Sequence, residues 1–302
     1  MRSLVFPIVL AGLAVASCNG TTGDQLITFD AYAAGARGAS DPFVVYGVHP
    51  AAGASAPPAD ETFTVQLTKA QMYVGAIYVN EAPAGSGGTF NSPACIDPGV
   101  YSMQVPGGLE VDLLNPSPQK FSVQGNGTAD QSLSWELYMV DGDVNAQDIN
   151  AYGTPNTADL AGTARRASDG KVFEWAATVT INANNRGEPA QYPGQPGLNP
   201  ICKQRILELS GIDFTPYQGG ALLLTIDPRG WFKQPLDFSQ LPTTATEQCH
   251  LDTNVTYTSE YCIPDSSRLS GGMLGSQQGS TLFTGIFTGG NAAYTLSYVS
   301  SP

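Results

Sequence analysis

The chain of 302 residues carries 13 Lys and Arg residues against 26 Asp and Glu residues, which gives a formal net charge of −13. It has no basic cluster beyond Arg165-Arg166, so the sequence excludes nucleic acid as a partner and predicts repulsion from anionic lipid headgroups. The 34 glycines, 22 prolines and only 13% charged residues are typical of many short strands joined by turns. We therefore predict an all-β protein.

The N-terminus predicts an export signal. Met1 and Arg2 supply a positive start, and residues 4–15 form an apolar run. This run is too short to span a bilayer, but it fits the hydrophobic segment of a signal peptide. The sequence VASC follows at residues 15–18.

The VASC segment resembles the lipobox of bacterial lipoproteins, in which an aliphatic residue and two small residues precede the cysteine that becomes residue one. The resemblance implies that residues 1–17 are removed, that Cys18 is acylated, and that residues 18–24 tether a domain at 25–302. Two or three acyl chains anchor a protein stably, since each buried methylene adds roughly 0.8 kcal/mol. Asn19 stands where an inner-membrane retention signal has aspartate, which favours attachment to the outer membrane, facing the periplasm or the cell surface. The alternative is an ordinary secretory signal in which Cys18 is coincidental.

Alternating hydrophobicity predicts strands in the body of the chain. Residues 63–68 (FTVQLT) alternate apolar and polar side chains, so one face should be buried and the other wet. Residues 72–79 (MYVGAIYV) are apolar on both faces, which predicts a central strand with a bulge or close approach at Gly75. LSWELYMV and FEWAATVTI repeat the alternation, and each places a tryptophan, Trp135 or Trp175, on the inward face.

Further strands complete the predicted fold. They are expected at 26–32, 43–48, 100–105, 121–124, 205–209, 221–226, 282–287 and 293–299. About a dozen short strands at this spacing, without a convincing amphipathic helix, predict a single large β-sandwich with long Pro/Gly-rich loops over 25–302.

Four cysteines follow the lipobox, namely Cys95, Cys202, Cys249 and Cys262. An even number in an exported chain predicts two disulfides, for which three connectivities are open. We favour Cys95 with Cys202 and Cys249 with Cys262, because the first pair would join the two longest Pro/Gly-rich loops. A disulfide between Cys95 and Cys202 would make two separate domains divided near residue 125 difficult to form.

The segment DGDVNAQD offers a candidate metal site. Four of its side chains, Asp141, Asp143, Asn145 and Asp148, supply oxygen ligands. They resemble the D-x-D-x-N start of calcium loops of the EF-hand and dockerin kind. The resemblance then ends, because Ala146 replaces the loop glycine and Tyr152 stands where a bidentate glutamate belongs. The alternative is an ordinary Asp/Gly turn, and calcium is the only cofactor the sequence suggests.

The segment IDPRGWF, residues 226–232, is a candidate ligand-binding turn. Pro228 and Gly230 favour a tight turn that would display Arg229 and Trp231 at a sheet end. An arginine there could pair with a carboxylate, and an indole could stack on a sugar. The alternative is a turn whose tryptophan folds back into the core.

Catalytic patterns are sparse. His49 lies in a proline-flanked loop and His250 follows a predicted disulfide cysteine, so neither suggests a Ser-His-Asp hydrolase. The chain has no GxSxG, HExxH or phosphate-binding glycine loop. Paired carboxylates of the glycosidase kind meet in space rather than in sequence, so that chemistry stays open.

Two short segments, ITFDAY and LTKAQMYVGAIYVNE, resemble β-rich periplasmic copper-binding proteins associated with methanobactin. The metal residues of that family find no matching positions in this chain, so no ligand set is carried over. The chain as a whole resembles uncharacterised β-rich lipoproteins of Gram-negative bacteria. We expect a lipid-anchored binding or interaction module whose partner is an envelope protein or glycan, with a hydrolase of envelope polysaccharide as the alternative.

Overall fold

The fold is described from a computed structural model of the chain. The structure describes residues 25–49, 59–81, 95–96, 101–138, 156–180, 201–202, 206–233, 235–236, 238, 248–251, 260–262, 282, 285–286, 289–300 and 302. In these residues the protein is all-β, which confirms the fold class predicted from composition and periodicity.

Strands supply nearly all regular structure of the described segments. They are β1 (Leu26–Gly35), β2 (Phe43–His49), β3 (Ala59–Val74), β4 (Ile77–Asn80), β5 (Cys95–Ile96), β6 (Tyr101–Val105), β7 (Leu109–Asp112), β8 (Gln119–Lys120), β9 (Gly125–Thr128), β10 (Ser132–Tyr138), β11 (Asn156–Arg166), β12 (Val172–Thr180), β13 (Ile201–Cys202), β14 (Ile206–Phe214), β15 (Ala221–Ile226), β16 (Gln248–Leu251), β17 (Glu260–Cys262) and β18 (Tyr294–Val299). Two short 3-10 helices lie at Pro228–Trp231 and Gly290–Ala292.

The first sheet has nine strands in the order β14-β10-β4-β6-β9-β1-β15-β18, with β8 also paired to β1. Its pairs are antiparallel except for β1 and β15, which run parallel. The two ends of this order come together, because Phe214 of β14 stacks on Tyr298 of β18 with ring centroids 5.8 Å apart. The first sheet is therefore nearly closed on itself, unlike a flat layer of a sandwich.

The second sheet has seven strands in the order β17-β16-β12-β11-β3-β2, with β7 also paired to β3. A separate two-stranded sheet joins β5 to β13. Both larger sheets contain strands from before and after residue 125, so the pairing interleaves the two halves of the chain.

One continuous hydrophobic core lies between the two larger sheets. Phe63, Val65 and Leu67 of β3 are buried, as their alternation predicts, and so are Trp135 and Trp175. The indole of Trp175 packs against two phenylalanines, with centroids 5.9 Å from Phe232 and 5.5 Å from Phe238.

The predicted central strand 72–79 is divided between the two sheets. Residues up to Val74 belong to β3 in the second sheet, and the chain resumes at Ile77 as β4 in the first sheet. Gly75 and Ala76, both buried, form the break. The predicted interruption at Gly75 is therefore a crossing from one sheet to the other.

Two strand predictions are wrong. Residues 121–124 form a bend between β8 and β9, although Phe121 is buried as an inward residue of a strand would be. Leu282, Gly285 and Ile286, the described part of the predicted strand 282–287, are helical.

Candidate functional site

Two predicted sites lie outside the described residues. These are the lipobox cysteine Cys18 and the acidic turn at 141–148, which contains Asp141, Asp143, Asn145 and Asp148. Among the residues that the structure does describe, no three His, Cys, Asp or Glu side chains come together to hold a metal ion. In the same part of the chain, no helix has the length and apolar character needed to cross a membrane.

Arg229 lies in the 3-10 helix Pro228–Trp231, directly after β15. The Asp227 carboxylate caps this helix by accepting the Arg229 backbone N–H at 3.1 Å. The same carboxylate also accepts hydrogen bonds from Nε and Nη2 of the Arg229 guanidinium, at 2.8 and 2.7 Å. The third guanidinium nitrogen, Nη1, donates to the Gly38 carbonyl oxygen at 2.9 Å. The hydrogen bonds to Asp227 raise the pKa of Arg229 above its usual range. The carboxylate that this arginine meets is thus its neighbour Asp227, and the contact with Gly38 ties the turn to the segment between β1 and β2.

Trp231, the predicted stacking platform, is fully buried. Its ring centroid lies 6.4 Å from that of Tyr294, and its Nε1 has no hydrogen-bond partner among the described residues. The indole therefore packs in the core and offers no face to solvent. A sugar-stacking role for this turn gains no support from the geometry.

The favoured disulfide partners occupy directly opposed positions in two strand pairs. Cys95 of β5 pairs with Cys202 of β13, and Cys249 of β16 pairs with Cys262 of β17. Directly opposed residues of antiparallel strands have Cα atoms about 4.5–5.5 Å apart, within the range of about 4.4–6.8 Å that a disulfide spans. The backbone register therefore suits both favoured pairings, and the disulfides themselves stay predictions.

An exposed surface on the second sheet, which we call the Tyr46 face, contains Val44, Tyr46, Thr64, Arg165 and Val172. Val44, Thr64, Arg165 and Val172 are cross-strand neighbours in one row over β2, β3, β11 and β12, and Tyr46 lies two residues from Val44. Tyr46 is 75% exposed and Val44 is 66% exposed. Since β2 also has inward apolar residues, Val45 among them, its sequence is apolar on both faces and does not mark which residues face solvent.

A second cluster, which we call the covered polar face, belongs to the first sheet and contains Tyr78, Asn80, Ser102, Ser132, Ser134 and Glu136. The five non-aromatic members are the buried polar side chains of the described chain, and all of them lie on β4, β6 and β10. Tyr78, Asn80, Ser134 and Glu136 alternate with core residues, so they occupy the side of the sheet that faces away from the core.

Two residues of the covered polar face belong to a row of polar residues that runs across the first sheet and is exposed at its other end. The cross-strand neighbours in that row are Thr28, Asn126, Gln104, Tyr78 and Glu136, on β1, β9, β6, β4 and β10. At the exposed end, Gln104 Nε2 donates to Asn126 Oδ1 at 3.2 Å. At the other end Glu136 is only 4% exposed. This row is thus polar from end to end, exposed over β9 and buried over β10.

Most residues of the covered polar face have an interaction partner. Ser102 Oγ donates to the Val79 carbonyl oxygen at 3.2 Å and lies 3.1 Å from Ser132 Oγ. Tyr78, Ser134 and Glu136 each have an interaction partner as well. Asn80 differs, because its Oδ1 is buried with no hydrogen-bond partner. The sequence SLSWELY predicts the alternation of polar and core residues in β10. From the sequence its polar residues are expected to face solvent, so their burial could not be predicted.

Comparison with protein-family models, with curated proteins and with solved structures gives no match to this chain. The features of this chain from which a function can be inferred are the Tyr46 face, the covered polar face and the lipobox.

Proposed function

We propose that the protein is a lipid-anchored binding module of the bacterial cell envelope, held at the outer membrane by acylated Cys18. The Tyr46 face is its binding surface. The observation that carries this proposal is the exposure of Tyr46 and Val44, 75% and 66%, on a strand of a regular sheet. Val44 and Tyr46 lie two residues apart on one strand with Thr64 and Arg165 beside the strand pair, and exposed apolar residues grouped with polar ones mark interaction sites.

The chemistry of the Tyr46 face favours an envelope glycan as the partner. An exposed tyrosine has an apolar ring and a polar hydroxyl, so it can cover the apolar face of a sugar ring while its edge stays hydrated. Thr64 and Arg165 are neighbours across β3 and β11, and they add hydrogen-bonding groups to the same face. Tyrosine and arginine are also the residues enriched in binding hot spots.

A glycan array of envelope polysaccharides tests this surface. We expect the wild-type chain to retain at least one glycan and Tyr46→Ala to bind it at least about tenfold more weakly, since central aromatic residues dominate binding energy. Tyr217→Ala is the matched control, because Tyr217 is another exposed tyrosine, outside the Tyr46 face. Equal losses in the two variants, or no retained glycan, would contradict the proposal.

The alternative is a polysaccharide hydrolase, which depends on two neighbouring carboxylates. One observation favours it, since Glu136 of β10 is the register partner of Glu208 of β14. Burial argues against it, because Glu136 is 4% exposed and a polysaccharide chain needs an open cleft. Shortened glycan products that disappear in Glu136→Gln would favour the hydrolase over the binding module.

The lipid anchor has its own test. Cells grown with a radioactive fatty acid should label the wild-type chain, and Cys18→Ala should lose the label and accumulate as an unprocessed or soluble protein. The thioether at Cys18 is the only strong membrane attachment that we infer from the sequence. Equal labelling of the two proteins would contradict the lipobox assignment.

A further inference from the structure

We propose that the covered polar face binds one hard cation of the calcium class, with Asn80 Oδ1 and the Glu136 carboxylate as ligands. This site shares no residue with the Tyr46 face or with the acidic turn at 141–148, and it does not depend on the proposed function.

The first support is the unpartnered oxygen of Asn80. The residue is 8% exposed, and its Oδ1 has no hydrogen-bond partner. A buried side-chain oxygen without a partner is rare in native proteins and calls for an explanation such as a bound ion or water. A carbonyl oxygen offers only lone pairs, so it can be satisfied by a hydrogen-bond donor or by a cation.

The second support is the position of Glu136 relative to Asn80. Asn80 of β4 is directly opposite Ser134 of β10, and Glu136 lies two residues further along β10. It is therefore a diagonal cross-strand neighbour of Asn80, within the reach of a long side chain. A buried carboxylate requires compensating charge or hydrogen bonds. Glu136 has an interaction partner, and a carboxylate has two oxygens with about four lone-pair sites, so it can contribute to a cation site as well.

The third support is the composition of the strands around Asn80 and Glu136. The two register rows that contain Asn80 and Glu136 hold Ser, Thr, Asn, Gln, Tyr and Glu in the described strands, and neither row holds Lys, Arg or His. Oxygen-bearing side chains of this kind are the ligands that a hard cation such as Ca²⁺ prefers.

The size of the ligand follows from the burial. Asn80 and Ser134 are buried together with Glu136, so this part of the sheet excludes a large ligand. The hydroxyl of Ser102 is already engaged with Val79 and Ser132. A single ion satisfies the Asn80 oxygen without displacing those hydrogen bonds.

Terbium luminescence tests the site, since Tb³⁺ replaces Ca²⁺ at oxygen sites and is sensitised by nearby aromatic rings such as Tyr78, which is directly opposite Glu136. After EDTA treatment and desalting, the full chain should show saturable luminescence that excess Ca²⁺ abolishes. We expect Asn80→Ala and Glu136→Gln to weaken Tb³⁺ binding at least about tenfold, because each removes a ligand. Asp143→Ala is the control and should bind as the wild type does.

A second variant separates binding from folding. Asn80→Asp keeps an oxygen at the same position and adds a charge, so it should bind Tb³⁺ more tightly than the wild type. Weaker binding by Asn80→Asp would overturn the proposal. So would an absence of luminescence in the wild type, as expected if a water fills the site, or a signal that Asp143→Ala alone abolishes.

Discussion

The side chain of Tyr298 shows how single residues close the first sheet. Its ring stacks on Phe214 and meets Phe29 edge-on, with centroids 5.8 and 5.6 Å away. Its hydroxyl donates to the Tyr217 carbonyl oxygen at 2.7 Å. Burial of the neutral ring raises the pKa of Tyr298 to about 12. One residue of β18 thus contacts β1, β14 and the turn before β15.

The pKa of Tyr298 predicts a loss of stability in alkali. The unfolded tyrosine ionises near pH 10.0 and the folded one near pH 12, so its contribution is complete below pH 10 and is lost as pH rises toward 12. We expect the free energy of unfolding of the wild type to fall more steeply over this interval than that of Tyr298→Phe. Urea unfolding at several alkaline pH values measures both slopes. Parallel slopes would mean that Tyr298 is not responsible.

Some side-chain positions follow from local sequence and others do not. The inward placement of Trp135 and Trp175 follows from period-two alternation. The placement of Trp231 does not, because IDPRGWF specifies a turn without specifying which side of it meets the core. That side is set by residues distant in sequence, as the Trp231–Tyr294 ring contact shows.

At the scale of strands, β3 and β12 could be predicted because their inward residues are large, whereas β11 was missed because its inward residues are mostly small. Ala158, Gly162 and Ala164 carry little of the hydrophobic signal on which strand prediction depends. The reason lies in the neighbouring strands, since Gly162 is the register partner of Trp175 on one side and Leu67 on the other. Small residues in β11 make room for large ones beside it.

Gly162 gives the prediction at this scale. A Cβ at this position would lie 2.3 Å from the Gln66 carbonyl oxygen, beside the irregularity in the β3–β11 pairing. We expect Gly162→Ala to lower the free energy of unfolding by about 1–3 kcal/mol, since the backbone must move to admit the methyl group. Thr163→Ala, the neighbouring outward residue, should change it by less than about 1 kcal/mol. Equal effects in urea unfolding would argue against a close contact at Gly162.

At the scale of the whole molecule, the order of strands could not be predicted. The parallel pair of β1 and β15 joins Asp30 to Ala221, and no local pattern encodes such a register. The same holds for the covered polar face, whose burial depends on how β4, β6 and β10 come together. Asn80 and Glu136, the ligands of the proposed cation site, could therefore not be identified from the sequence. A cysteine pairing could be proposed from the sequence because four cysteines leave only three connectivities, and it stays a prediction.

The two cysteine pairs give the prediction for the whole fold. We expect non-reducing peptide mapping to find Cys95 joined to Cys202 and Cys249 joined to Cys262. Replacing Cys95 and Cys202 by serine should lower the free energy of unfolding by roughly 2–5 kcal/mol, and replacing the other pair should cost less, because it closes a shorter loop. A peptide that links Cys95 to Cys249 or Cys262 would show that the favoured connectivity is wrong.

The break at Gly75 and Ala76 has a mechanical consequence. Because β3 and β4 are consecutive along one backbone, tension applied to the second sheet passes through two residues into the first. The two layers cannot swing apart about an edge as a hinged pair would, since the covalent chain crosses between interior strands of both sheets. Any opening of the core must first break the hydrogen-bonded ladder of β4 with β6 and β10, or that of β3 with β2, β7 and β11.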